Sequence, residues 1–363
     1  MTKHIFAGGS TPKGFIDFFE HIMPLGIAEK RYFLKGSSGS GKSTFIKKIA
    51  ARLEAGGIEI EKFHCANDIE SLDAISAKNL GLCIIDATAP HSHDPDIPIA
   101  IDRIIDFAEF IDEGKIRKSL DEIKLLLNAK KILNEKASCY LGAVGNIYLA
   151  EYKVYEAAIK RISLNRLIQK WVKLLDSCKR ADNCFGTNRK LFLSAITPDG
   201  FTGFANNYFS DIKVYGLLGE TCAGIDAFLT GIRDEANARE INTESFYCPF
   251  APERLEHLHL PGIKAAFATM GSPFGYKGDV EEIIDMNIIF NEIILKDIKQ
   301  DVSKNKENKL FDMTLNAAID TMRASRDLHG KIEEIYINAM DFERLNKASE
   351  KITEEILFGC KIK

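Results

Sequence analysis

The chain has 363 residues, a formal net charge of −4 and eight cysteines, with 45% hydrophobic and 28% charged residues. This composition is ordinary for a globular protein, and the charge balance gives no indication of a nucleic-acid partner. The N-terminus lacks the apolar segment of a secretion signal, no apolar run is long enough to span a bilayer, and the cysteines form no C-x-x-C pair. We therefore expect a cytoplasmic protein of two domains, with neither a nucleic-acid nor a membrane partner.

The first 90 residues read as alternating strands and helices. A short strand at 5–7 leads through a Thr-Pro-x-Gly turn into a predicted helix over 14–22. Further along, strands are predicted at 31–35, 58–63 and 80–86, a helix over 44–53, and a polar connection between the last two strands. Alternating strands and helices favour a parallel α/β sheet covered on both faces.

The segment 36–43, GSSGSGKS, matches the phosphate-binding loop G-x-x-x-x-G-K-[ST], with a predicted strand before it and a predicted helix after it. Glycines allow the backbone to curl around phosphate oxygens, and the following helix adds the positive end of its dipole. We expect Lys42 to reach the β- and γ-phosphates and the Ser43 hydroxyl to hold Mg²⁺. The predicted nucleotide-binding residues are Gly36, Ser37, Ser38, Gly39, Ser40, Gly41, Lys42, Ser43 and Thr44.

A carboxylate for the metal is predicted where the third strand ends. Asp86 follows an apolar run and would steady Mg²⁺ through its water shell. Asp68 and Asp73 follow the second strand, so either could position a water or a substrate hydroxyl, and Asp68 could equally cap a helix starting there. His64 and His91 are further candidates, with plain surface positions as the alternative.

Long helical stretches follow each α/β part. Apolar residues recur at helical spacing over 101–111 and again over 149–159, and 182–188 reads as a linker. Residues 302–309 are strongly polar and read as a solvated helix surface or a loop. These helical arms contain no recognisable catalytic or ligand-binding motif. We therefore expect them to pack against each other, to mediate self-association or to bind a protein partner.

The sequence is internally repeated. The pattern around Thr11-Pro12-Lys13-Gly14-Phe15 returns at Thr197-Pro198-Asp199-Gly200-Phe201, an offset of 186 residues. After a three-residue deletion the register continues at an offset of 183. The matched pairs there include Gly41 and Gly224, Phe45 and Phe228, Phe63 and Phe246, Cys65 and Cys248, and Leu72 and Leu255. We predict two similar α/β units with parallel sheets, 1–185 and 186–363, each followed by a long helical segment.

The second unit lacks the groups that handle phosphate and metal. Ile225 and Asp226 stand where the first unit has lysine and serine, and Thr269 stands where the first unit has its metal carboxylate. Glu220 adds a further negative charge, which would repel a phosphate. Positions that change together with the lysine, among them Asp73, now Glu256, become candidates for the working site.

The chain resembles a family of bacterial ATPases built from two tandem P-loop units. The resemblance covers nearly the whole chain and is carried by Phe6-Ala7-Gly8-Gly9, Thr11–Phe15, Gly41-Lys42-Ser43-Thr44, His64-Cys65, Asp68, Ser71-Leu72-Asp73 and Asp86–His91. It implies ATP binding and hydrolysis. Members of the family usually keep the lysine and serine in both units, whereas this sequence has lost them in the second.

These observations predict a Mg²⁺-dependent nucleoside triphosphatase with one working site, in which Lys42, Asp86 and Asp68 are catalytic and Ser43 and Asp86 bind the metal. ATP is expected rather than GTP, because no N-K-x-D or T-K-x-D segment is present. The residue after the metal carboxylate is Ala87, not a glutamate that activates water. Two alternatives therefore remain: a small-molecule or nucleotide kinase, and a non-catalytic scaffold gated by nucleotide.

Overall fold

The structure is a computed structural model that describes residues 2–89, 92–178, 186–219, 222–271, 275–300 and 304–359. It is mixed α/β, with mostly parallel sheets and long helices. The strands of the first half are β1 (Lys3–Ile5), β2 (Gly8–Thr11), β3 (Gly14–Asp17), β4 (Lys30–Lys35), β5 (Glu61–His64), β6 (Leu72–Ala77), β7 (Leu82–Asp86) and β8 (Asp102–Asp106). The helices of the first half are α1 (Lys42–Ala55), α2 (Glu113–Lys118), α3 (Leu120–Ala157) and α4 (Arg161–Val172).

The second half repeats this succession. Its strands are β9 (Asn188–Leu191), β10 (Ser194–Thr197), β11 (Gly200–Gly203), β12 (Lys213–Leu218), β13 (Thr243–Cys248), β14 (Ala251–Leu260), β15 (Ala265–Thr269) and β16 (Glu282–Asp285). Its helices are α5 (Ala205–Tyr208), α6 (Cys222–Ala238), α7 (Glu292–Gln300), α8 (Lys304–Ala339) and α9 (Phe342–Gly359). No helix in the described ranges is both long and apolar enough to cross a membrane.

The chain divides into two compact units. Unit 1 comprises Met1–Gly9, Asp17–Ala137 and Asp320–Lys363, and unit 2 comprises Ser10–Ile16 and Ser138–Ile319. The repeat division at 185/186 assigns each helical arm to the sheet that precedes it. In the structure, however, residues 138–178 belong to unit 2 and the C-terminal arm belongs to unit 1. Each unit therefore combines the sheet of one repeat with helices of the other.

Unit 1 contains a six-stranded sheet in the order β1-β5-β6-β7-β4-β8. All neighbouring pairs are parallel except those made by β6, which is antiparallel to β5 and β7. Helix α1 packs on this sheet with Phe45, Ile46 and Ile49, and Leu345 and Ile356 of α9 complete the same core. Burial of these aliphatic and aromatic side chains is what holds α1, and therefore the loop that precedes it, against the sheet.

Unit 2 contains the matching six-stranded sheet, in the order β9-β13-β14-β15-β12-β16, with β14 as its antiparallel strand. Here α4 packs on α6, where Ile168 approaches Gly231 so closely that a Cβ at the glycine would lie 2.5 Å from its Cδ1 atom. The indole of Trp171 lies against Tyr215 and Phe267 of the sheet. A second, four-stranded sheet has the order β11-β10-β2-β3.

Equivalent hydrogen bonds bear out the repeat register. The Thr11 hydroxyl donates to Gly14 O at 2.8 Å, and the Thr197 hydroxyl donates to Gly200 O at 2.8 Å. The two sheets also have the same strand order and the same strand directions. The offsets of 186 and 183 residues are thus reproduced in three dimensions.

Several local predictions were wrong. The predicted helix over 14–22 is strand β3 followed by a 3-10 turn, Phe19–His21. The helical spacing over 101–111 belongs to strand β8 and a 3-10 turn, Phe107–Phe110, since β8 pairs with β4 at the sheet edge. The polar connection before the third strand contains β6, which breaks the expected all-parallel sheet.

Other predictions match the structure or fall outside it. The periodic segment 149–159 lies largely in α3, which ends at Ala157. The polar segment 302–309 is helical from Lys304, where α8 begins. Most of the predicted linker, 182–185, lies outside the described residues.

Candidate functional site

The segment 36–41 forms a tight loop between β4 and α1. Gly36, Gly39 and Gly41 have φ angles of +144°, +72° and +89°, which side chains rarely adopt. The fully buried Ser40 closes the loop, because its hydroxyl donates to Ser37 O at 2.8 Å. Glycines therefore stand at the positions of this loop where the backbone takes positive φ angles.

Lys42 is the first residue of α1, and its ammonium group lies inside the loop. Its Nζ atom donates to Gly36 O at 3.1 Å and to Ser37 O at 2.7 Å, and lies 3.7 Å from a carboxylate oxygen of Asp86. Burial lowers the pKa of Lys42, and the charge of Asp86 opposes that shift. A buried cation surrounded by main-chain carbonyls and one carboxylate is suited to receive a polyanion.

Asp86 lies beside the loop because β7 and β4 are parallel neighbours, with Asp86 opposite Leu34. One of its oxygens accepts a 3.0 Å hydrogen bond from Thr88 N, and the Thr88 hydroxyl donates to Gly36 O at 3.2 Å. The carboxyl ends of parallel strands are the usual ligand edge of such a sheet. Asp86 therefore ends its strand, as predicted, and lies beside the loop, while its role as a metal ligand stays a prediction.

The Ser43 hydroxyl, in the first turn of α1, accepts a 3.0 Å hydrogen bond from Leu72 N of β6. That bond leaves a lone pair on the oxygen, so the hydroxyl can still coordinate a cation. Mg²⁺ prefers oxygen ligands, keeps several waters and is commonly bound through one carboxylate together with substrate phosphates. The Ser43 hydroxyl and the Asp86 carboxylate fit that requirement.

Asp73 projects from the antiparallel strand β6 into the same region. Burial raises its pKa to about 8, and the negative charge of Asp86 adds to the shift. Its neighbour Cys65 is partly buried, and burial raises the pKa of that thiol as well. At neutral pH Asp73 is thus a protonated carboxyl group beside the loop, where a proton donor is more consistent with its state than a base.

Asp68 forms a turn rather than a helix cap. Its Oδ1 accepts from Glu70 N at 3.2 Å and its Oδ2 accepts from the Ser71 hydroxyl at 2.5 Å, so the chain reverses there and enters β6. The catalytic role of Asp68 stays a prediction. His64 is held by His4 Nδ1 at 2.7 Å and Ile69 O at 2.6 Å, which fits a structural position, and His91 lies outside the described residues.

The part of helix α8 that belongs to unit 1 supplies groups that sequence reasoning missed. His329 Nε2 lies 2.7 Å from Ser38 Oγ in the loop, and Lys130 Nζ of α3 lies 2.8 Å from His329 Nδ1. A Cβ at Gly39 would lie 2.7 Å from Glu333 O, so the helix backbone rests directly on the loop. These contacts join segments about 200 to 290 residues apart in sequence, and no local pattern indicates them.

The equivalent place in unit 2 carries different chemistry. Asp226 Oδ1 accepts from Leu255 N at 2.8 Å, the same bond that Ser43 makes in unit 1. Its Oδ2 accepts from the Tyr152 hydroxyl and from the Arg254 guanidinium, each at 3.1 Å. Its charge is therefore compensated within the unit, whereas the sequence suggested a carboxylate whose charge would repel a phosphate; Glu220 lies outside the described residues.

Two further positions complete the contrast. Ile225 is buried and apolar, and the Thr269 hydroxyl donates to Glu256 O at 2.5 Å. Neither offers a cation to a phosphate or a carboxylate to a metal ion. In comparisons with known proteins, no protein-family model matches the chain, and no curated protein or solved structure matches it at a significant level.

Proposed function

We propose that residues 36–44 bind a Mg²⁺-nucleoside triphosphate, preferably ATP, and that the chain is a P-loop NTPase with one working site. The main observation that supports this proposal is the position of Lys42. Its ammonium is buried inside a left-handed glycine loop, hydrogen-bonded to two loop carbonyls, and 3.7 Å from the carboxylate that ends the neighbouring parallel strand. This arrangement stabilises clustered negative charge with groups that are already in place.

Different residues of the chain bind the phosphates and the metal in this proposal. Lys42 and the loop N–H groups hold the phosphates, while the Ser43 hydroxyl and Asp86 hold the metal, which neutralises charge on the phosphate oxygens when it is bound. Catalysis then rests on positioning and electrostatics rather than on a covalent intermediate. Asp73 lies near enough to Asp86 for that negative charge to raise its pKa, so its carboxyl group is a proton donor available beside the loop.

The second repeat supports a tandem origin. Its sheet has the same strand order, and Asp226 makes to Leu255 N the bond that Ser43 makes to Leu72 N. We therefore propose two P-loop units, of which the second keeps the framework without the phosphate chemistry. Membership in the tandem P-loop ATPase family that the sequence resembles is part of this proposal.

Calorimetric titration with Mg²⁺ and a non-hydrolysable ATP analogue tests binding. Replacing Lys42 with alanine should weaken binding by about 100-fold or more, because truncating a buried charged partner leaves phosphate oxygens uncompensated. Lys47→Ala is the matched control, since Lys47 is an exposed lysine on the same helix and its loss should change nothing. Equal affinities for the Lys42→Ala variant and the wild type would refute the assignment.

Turnover assays on the wild-type protein distinguish the three activities. Release of inorganic phosphate from Mg-ATP without an added acceptor identifies a hydrolase. ADP formation that needs an acceptor identifies a kinase, and tight binding with negligible turnover identifies a nucleotide-gated scaffold. Lys42→Ala should abolish whichever turnover is found.

A further inference from the structure

Unit 1 holds a hydrogen-bonded chain of three side chains that ends on the phosphate loop. Lys130 of α3 contacts Nδ1 of His329 at 2.8 Å, and Nε2 of the same ring contacts Ser38 Oγ at 2.7 Å. All three residues lie in unit 1. The hydrogen bonds described above for the loop and for the proposed metal ligands do not depend on these three side chains. The three side chains therefore need a separate explanation.

The chemistry of the three groups fixes the direction of each bond. A lysine ammonium can only donate, so His329 Nδ1 must accept. Burial and the charges of Lys130 and Lys42 lower the pKa of His329 to about 4, so the ring is neutral at physiological pH. A neutral ring then carries its proton on Nε2 and donates it to Ser38 Oγ. The hydroxyl hydrogen of Ser38 is therefore left to be donated to another acceptor.

Lys130 brings a positive charge that the described residues do not pair with a carboxylate. Burial lowers its pKa, and the interactions found for it among the described residues are those with His329 and Cys65. Cys65 also interacts with Asp73, which in turn interacts with Asp86, so Lys130 belongs to the same electrostatic cluster as these two carboxyl groups. A half-buried cation beside a second buried lysine is costly unless an anion joins them.

The helix that carries His329 lies directly on the loop. A Cβ at Gly39 would be 2.7 Å from Glu333 O and 2.9 Å from Ile337 Cγ1, and Glu333 also acts electrostatically on Lys42. A helix packed this closely holds the histidine ring in a defined position against Ser38. The hydrogen-bonded side chains of Lys130, His329 and Ser38 are thus held in place at the loop and are not a loose surface contact.

We propose that Lys130 and His329 recognise the terminal phosphate of the bound nucleotide, His329 by directing the Ser38 hydroxyl toward it and Lys130 by supplying a second positive charge. This inference rests on the proposed function. It assigns the preference for triphosphate over diphosphate to two residues outside the loop motif. Lys130 and His329 act here as specificity-determining residues, with His329 positioning another group.

The test compares the affinities for a Mg²⁺-bound non-hydrolysable ATP analogue and for Mg-ADP. In Lys130→Met, which keeps the length of the side chain but removes the charge, analogue binding should fall about 10- to 100-fold. ADP binding should change less than about threefold, because the lost contact is made to the γ-phosphate. Lys131→Met is the control, since Lys131 is an exposed neighbour on α3 that pairs with Glu135.

Two variants of the histidine separate positioning from bulk. His329→Gln keeps an acceptor for Lys130 and a donor for Ser38, so it should retain most of the triphosphate preference. His329→Leu removes both bonds and should lose the preference as Lys130→Met does. Circular dichroism verifies that each variant is folded, and if Lys130→Met is not, the two histidine variants alone decide the question.

The outcomes are distinguishable from failure of the proposed function. If Lys42→Ala abolishes binding while Lys130→Met and His329→Leu bind both nucleotides as the wild type does, the site stands and the inference falls. An equal loss of both nucleotides in Lys130→Met also overturns it, since that indicates a structural role. If the wild type binds neither nucleotide, the proposed function and the inference fall together.

Discussion

The loop after β4 and the equivalent region after β12 share the same backbone framework but carry side chains of different charge. In both units a side-chain oxygen in the first turns of the following helix accepts from a leucine N–H on the antiparallel strand, Ser43 from Leu72 and Asp226 from Leu255. In unit 1 that oxygen belongs to a neutral hydroxyl with a lone pair to spare. In unit 2 it belongs to a carboxylate whose second oxygen is already bonded to Tyr152 and Arg254.

A second pair of residues shows which features belong to the framework alone. Asp73 and Glu256 occupy matching positions on β6 and β14, and burial raises the pKa of each to about 8. Since the shift persists in the unit without the lysine and the metal carboxylate, a buried protonated acid on this strand does not require nucleotide chemistry. The comparison therefore supports Lys42, Ser43 and Asp86, rather than the acid on the antiparallel strand, as the residues of the proposed phosphate function.

The largest stability effect is expected at Asp226. Asp226→Ala leaves Arg254, the Tyr152 hydroxyl and Leu255 N without their acceptor, which should cost unit 2 about 2–4 kcal/mol. Trp171 is the only tryptophan and lies in unit 2, so its fluorescence during urea unfolding reports on this unit. Asp234→Ala is the control. The Asp234 side chain is 61% exposed and pairs with Arg233, so its loss should change stability little. An equally stable Asp226→Ala protein would mean that Asp226 does not hold unit 2 together.

The next effect is on metal dependence. Asp86→Asn should reduce the gain in nucleotide affinity that Mg²⁺ provides by about 10- to 100-fold, since the carboxylate orients the metal and its waters. Thr269→Ala, at the equivalent end of β15, should leave that gain unchanged. Titrations with and without Mg²⁺ measure both. Loss of the magnesium effect in Thr269→Ala would show that the second unit takes part in binding.

The smallest effect concerns pH. Glu256 has a pKa of about 8 in the folded chain against 4.5 as a free side chain, so the unfolded chain ionises first as pH rises. This group therefore destabilises the fold progressively between pH 4.5 and 8. Glu256→Gln removes that ionisation, so its stability relative to wild type should rise by about 1–3 kcal/mol between pH 5 and pH 8.

Urea unfolding followed by Trp171 fluorescence measures this pH dependence. Glu281→Gln, at an exposed glutamate of unit 2, is the control and should follow the wild type at every pH. If the stability difference between Glu256→Gln and wild type were constant across this range, Glu256 would be ionised in the folded protein. The raised pKa that Asp73 and Glu256 share would then not be a feature of the framework.

The sequence predicted those parts of the molecule that local chemistry determines. The glycine loop, the position of Asp86 at the end of its strand and the repeat register are found, because glycine conformations, strand ends and repeated turns can be recognised in the sequence. The segment 101–111 misled because isoleucines at helical spacing also suit an edge strand, where Ile104 is 53% exposed. His329 and Lys130 had no local signal, since the folding of the C-terminal arm into unit 1 brings His329 to the loop, and Lys130 of α3 meets it only there.

The number of nucleotides bound per chain tests the central comparison most directly. Calorimetric titration of the wild type with Mg²⁺ and a non-hydrolysable ATP analogue should give one site per chain, and Lys42→Ala should give none. Two sites in the wild type, or one site remaining in Lys42→Ala, would show that the unit containing Ile225 and Asp226 binds nucleotide by another route. That result would contradict the account of unit 2 as a framework without phosphate chemistry.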